Sequence, residues 1–108
     1  MRINLIVGKV MARKKKKRYW HIVGYDSTTT IYEDKVLLGC YTEPEMRNLL
    51  RALVSRAGLT FREIVDSYAR KNARRYRSLL EVHRDSGSKK FLLMCGSNPY
   101  FIASVVEE

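Results

Sequence analysis

Residues 42–63 read TEPEMRNLLRALVSRAGLTFRE, and the fold turns on them. Thr42 can cap a helix, Pro44 is tolerated in the first turn, and Glu45 stands three residues after the cap, where its carboxylate can close a capping box. Met46, Leu49, Leu50, Leu53, Val54 and Ala57 then recur at spacings of three and four, which places them on one helical stripe. Gly58 supplies the stop. Thr60-Phe61-Arg62-Glu63 repeats the start signal, so a second helix follows with Phe61, Ile64, Val65, Tyr68, Ala69 and Tyr76 as its apolar face. This helix is expected to run to about Tyr76, and Leu49, Leu53, Ile64 and Val65 are expected in the core.

On both sides of the helix pair the pattern changes to that of strands. Tyr19 to Tyr25 are mostly aromatic, β-branched or histidine, Asp26-Ser27 is a turn signal, and Thr28 to Tyr32 resumes β-formers. The second arm of this hairpin reaches as far as Leu38, with Gly39 at a bend. After the helices, Leu80, Val82 and Arg84 read as a strand, Asp85-Ser86-Gly87-Ser88 as a turn, and Phe91 to Met94 as a second compact strand. Tyr100 to Val106 is either a strand, by its valines, or a short helix begun by Asn98 and Pro99. The fold class is therefore α+β: an antiparallel sheet of two hairpins with two consecutive helices on one face, in the order ββααββ with a short terminal strand or helix.

A chain of 108 residues, 45% apolar and 30% charged, can build one core, so residues 19–108 are read as a single domain. The net charge is +10, but eight of the 21 basic residues lie within residues 1–18, which contain no acid. Residues 19–108 then hold 13 basic groups against 11 acidic ones, so the body is nearly neutral. The run of like charges in the tail repels itself and is expected to be disordered. Met11 offers an alternative start, Met-Ala-Arg-Lys, and residues 1–10 are left out of the fold reasoning.

Cys40 and Cys95 are isolated from each other and from histidine, which reads as two buried free thiols in a reducing compartment, with no metal and no cofactor. The apolar stretch Ile3 to Val10 is too short to span a bilayer and carries its positive charge on the wrong side for a secretory signal. The expected location is the cytoplasm, or the nucleoid of a bacterium, without a membrane partner.

Two basic clusters carry the functional reading. Arg13, Lys14, Lys15, Lys16, Lys17 and Arg18 run directly into Tyr19 and Trp20, a cationic segment beside aromatic rings that suits nonspecific attraction to a polyanion. Trp20 itself belongs to the core of a strand. Arg70, Lys71, Arg74, Arg75 and Arg77 crowd the expected end of the second helix, where Arg70, Arg74 and Arg77 would share one face and could grip successive phosphates. The plainer reading is a solvated helix end, its cations favoured by the helix dipole and some of them paired to Glu63, Asp66 or Glu81. A helix-turn-helix is disfavoured because the first turn of the second helix carries Glu63 and Asp66, which would face duplex phosphates.

Catalytic signals are thin. His21 and His83 stand in separate strands, no nucleophile is placed beside either, and no phosphate loop or metal motif occurs. The leading reading is a small noncatalytic module that binds DNA or RNA nonspecifically through phosphates, using the basic tail and the basic helix end. A protein-interaction module or small homodimer, docking through the sheet or an aromatic Tyr100-Phe101-Ile102 edge, stands second. A metal-independent RNase using the two histidines stands third.

Overall fold

The computed structural model describes residues 16–85 and 90–108. Five strands form one antiparallel sheet: β1 (Arg18–Asp26), β2 (Thr29–Leu37), β3 (Val82–Arg84), β4 (Leu92–Gly96) and β5 (Tyr100–Glu107). Between β2 and β3 come a 3-10 turn at Leu38–Cys40 and two helices, α1 (Glu43–Gly58) and α2 (Phe61–Ser67). The protein is a small single α+β domain of the expected class, and both hairpins are present as antiparallel pairs. The turn expected at 85–88 falls mostly on residues 86–89, outside the described residues.

The open choice at the end of the chain resolves as a strand, and the strand is central. The sheet order is β2-β1-β5-β4-β3, so β5 lies between the two hairpins and joins them. The Tyr100-Phe101-Ile102 stretch is therefore interior to the sheet, not an edge. Lys17 extends this join, because its N–H donates to the Glu108 carbonyl and its carbonyl accepts from the Glu108 N–H. The turns at the other end are tied by the Ser27 N–H, which donates to Asn98 Oδ1 at 2.8 Å.

Both capping boxes form as the sequence predicts. The Glu45 N–H donates to Thr42 Oγ1 while Glu45 Oε1 accepts from the Thr42 N–H, and Glu63 with Thr60 repeats the pattern. These backbone donors hold both glutamates below the usual carboxylate range. Helix α1 lays Met46, Leu50 and Val54 against one face of the sheet, where Trp20, Ile22, Leu93, Cys95, Phe101 and Ala103 meet them. Leu49 and Leu53 flank this line and are half-buried. The Phe101 ring lies over Gly24, where a Cβ would fall 2.3 Å from its edge, so only glycine fits at that point of β1.

Helix α2 departs from expectation. It ends at Ser67, nine residues short of Tyr76, and the core excludes its apolar side: Ile64 is half-buried while Phe61, Val65 and Tyr68 are exposed. The Asp66 carbonyl shows why the helix stops, since it accepts from the N–H groups of Ala69 and Arg77. Two short turns follow, closed by Ala73 N–H to the Arg70 carbonyl and Tyr76 N–H to the Ala73 carbonyl. A continued helix would set Arg70 beside Arg74 and Lys71 beside Arg75 at like-charge i,i+4 spacing, which is unfavourable. The turns instead deliver Lys71, Arg75 and Arg77 to three separate acids.

Candidate nucleic-acid interface

The side chain of Asp66 organises the basic segment. It is the one buried charged residue among the described residues, and it accepts from Arg75 Nε at 2.8 Å with Arg62 Nε at 3.7 Å. Arg77 reaches Glu63 at 3.8 Å, and Lys71 lies 4.0 Å from Glu81. Tyr76 donates its hydroxyl to the same Glu81 at 2.6 Å, which raises the phenol's pKa and lowers that of the carboxyl. Arg70 and Arg74 meet no acid among the described residues and are exposed. The expected three-arginine helical stripe thus does not form, because the residues that bear it are not helical, and three of the five cations already have carboxylate partners.

One consequence is testable by proteolysis. Asp66→Asn keeps the shape of the side chain but removes the charge that holds Arg75, a charge-assisted contact of about 1.5–3 kcal/mol. Trypsin is expected to cut the variant sooner at residues 70–77 while the sheet core resists. Unchanged cleavage there would show that backbone bonds alone hold the segment.

The tail is only partly visible. Arg13, Lys14 and Lys15 lie outside the described residues, Lys16 and Lys17 are exposed, and Arg18 opens β1. The chain thus passes from its cationic run straight into a strand of the sheet.

That strand carries the feature that sequence reasoning missed. With Trp20, Ile22 and Gly24 turned towards α1, the alternate residues Tyr19, His21, Val23 and Tyr25 line the opposite face. The register brings Tyr100 and Ile102 of β5 beside Tyr25 and Val23, Met94 of β4 beside Ile102, and Val106 beside Tyr19. Leu37 lies across from Tyr19 and is 49% exposed; Met94 is 36% exposed. Helix α1 packs on the other side of the sheet, and the half-buried Tyr25 and Tyr100 rings stack on this face with centroids 5.2 Å apart. Only the alternation of large residues on both faces of β1 and β5 could have signalled it.

Both histidines lie on this open face, but apart. His21 Nε2 is 2.7 Å from Glu33 Oε2, whereas His83 of β3 pairs in register with Met94 of β4, three strands across from β1. Three strand spacings separate β1 from β3, roughly 14 Å, which is too far for one acid and one base to serve the same phosphodiester. Cys95 is buried, which pushes its thiol up to about 11, while Cys40 is exposed, contrary to the sequence expectation, because it ends the 3-10 turn outside the core. Among the described residues no His, Cys, Asp and Glu side chains gather as metal ligands, and no helix is long and apolar enough to cross a membrane. No protein-family model, curated protein or solved structure matches the chain.

Proposed function

We propose that the protein is a small nucleic-acid-binding module that takes single strands on its open sheet face. The observation that carries this reading is the continuity of that face with the cationic run. Lys16, Lys17 and Arg18 lead directly to Tyr19, and Tyr25 with its stacked partner Tyr100 stands six residues further along β1, about 20 Å away. Tyr19, Tyr25 and Tyr100 are half-buried and so partly accessible; unpaired bases stack on accessible aromatic rings whatever their identity, and lysines that follow the backbone add a nonspecific electrostatic term. A duplex keeps its bases stacked inside, so the face favours single strands over double strands. The basic segment at 70–77 has a smaller share in this reading than its sequence suggests, because Lys71, Arg75 and Arg77 are engaged with acids.

Fluorescence titration with a single-stranded oligonucleotide and its duplex tests the proposal. Tyr100→Ala is expected to weaken single-strand binding by about 5- to 150-fold, the equivalent of the roughly 1–3 kcal/mol that one stacked base contributes. Duplex affinity should change little. Equal affinity of the variant and the parent protein for the single strand would refute the platform.

A second reading has its own support. Phe61, Val65 and Tyr68 follow each other at i, i+4 and i+7 and are 90%, 56% and 64% exposed, an apolar stripe that suits a protein partner or a second copy of the chain. Sedimentation of the parent protein and of Phe61→Ser separates the two. A concentration-dependent dimer lost in the variant would favour this reading.

A further inference from the structure

On the helix side of the sheet, away from the tyrosine face, a cleft of about 390 Å³ opens between α1, the segment after α2 and the lead into β3. Its charged and hydroxyl-bearing lining includes Arg47 and Arg51 from α1, Tyr68, Lys71 and Tyr76 from the turns, and Glu81. The volume falls within the range of small-molecule sites. Three cations face one carboxylate, and the cations differ in what already occupies them.

Arg47 is bound to Glu43, which accepts from its Nε and Nη2 at 3.1 and 2.9 Å. Lys71 is held loosely, 4.0 Å from Glu81, with its side chain 81% exposed. Arg51 has no carboxylate among the described residues: its Nε donates to the Leu80 carbonyl at 3.1 Å and its Nη1 to Asn48 Oδ1 at 2.8 Å. Neither bond uses Nη2, and since no buried side-chain nitrogen of the described residues lacks a partner, this atom is not fully buried; Arg51 is one of the residues that line the cleft. The fork is thus held by two neutral acceptors, with no carboxylate at ion-pair distance among the described residues. Glu81 accepts from the Tyr76 hydroxyl, a neutral donor that leaves its charge in place, and an incoming anion competes with it for Lys71.

We infer that this cleft is a binding site for a phosphate monoester, with Arg51 as its fixed anchor and Lys71 as a mobile second cation. A guanidinium already fixed by Leu80 and Asn48 loses little freedom on binding, and its remaining N–H groups match phosphate oxygens. Leu80, Val82 and the exposed Tyr68 ring give the ester's organic part an apolar wall. The phosphate could belong to a free nucleotide or to the end of a nucleic-acid strand. The inference does not depend on strand binding to the open sheet face.

Chemical-shift titration of the full chain with adenosine 5′-monophosphate, adenosine and inorganic phosphate at low salt provides the test. The monophosphate should move the amides of residues 47–51 and 67–82, and adenosine should not. Those amides lie off the open sheet face, so failure here is distinguishable from failure of single-strand binding. Arg51→Lys keeps the charge but loses the fork, and should weaken the monophosphate by about tenfold or more. Lys71→Gln, at a largely exposed side chain, should weaken it by a smaller factor and serves if Arg51→Lys does not fold. Oligonucleotides with and without a 5′-phosphate distinguish the two sources, and binding of either phosphate-bearing source at these amides supports the site. Equal response to adenosine, no response to any phosphate, or unchanged affinity in both variants would overturn it.

Discussion

Replacing Leu50 with alanine is expected to lower the stability of the protein by about 2–5 kcal/mol. Leu50 is wholly inaccessible and sits between Met46 and Val54 on the line of α1 that meets the sheet. Its truncation removes apolar contacts with the buried cluster and leaves a cavity that a helix capped at Thr42 and packed on β4 and β5 closes only in part. Domains of this kind are typically stable by only about 5–15 kcal/mol, so the variant would lose a large part of the margin. Urea unfolding should show a lower midpoint with an unchanged slope. Val65→Ala is the matched control: Val65 is 56% exposed, and its truncation should cost no more than about 0.5 kcal/mol. A loss at Leu50 below 1 kcal/mol would mean that α1 does not hold the sheet.

The contrast between Leu50 and Val65 also marks what the sequence could reveal about the fold. Local rules were legible: Thr42 with Glu45 and Thr60 with Glu63 satisfy backbone donors within one turn, so their helix starts depend on nothing distant. The end of α2 depends on a carbonyl shared with Arg77 and on acids at 63, 66 and 81, contacts that no helical period encodes. The apolar spacing alone extends the helix to Tyr76 and takes no account of the repulsion among the cations. The place of β5 was hidden for a related reason. The valines of Tyr100 to Val106 suit a strand while Asn98 and Pro99 suit a short helix, and the pairing with β1 and β4 that decides between them is a long-range outcome.

The open face was less legible than the charge. A basic run can be counted, whereas a platform appears only when Tyr19 and Tyr25 of β1 and Tyr100 of β5 are brought to one side by register. The large residues at alternate positions of β1 were visible, with Trp20 and Ile22 on one side and Tyr19 and Tyr25 on the other. Which side the helices would leave uncovered was not, because it depends on α1 alone carrying the packing while α2 turns its apolar residues outward.

The salt dependence of single-strand binding should be dominated by the tail. If each of the six cations from Arg13 to Arg18 neutralises one phosphate, the slope of log affinity against log salt is about −4, and a fourfold rise in salt weakens binding about 300-fold. Changing Lys14, Lys15, Lys16 and Lys17 together to glutamine should make the slope shallower by about 3. Changing Arg70 and Arg74, the two cations of the 70–77 segment that meet no acid among the described residues, should alter it by at most about 1.4. The opposite ranking would return the leading role to the segment after α2. The four-lysine variant also examines the platform by itself, since base stacking is largely insensitive to salt. Its residual binding at low salt should still fall when Tyr100 is changed to alanine. If that second change has no effect, the tail holds nucleic acid alone, and the open face is left to a protein partner.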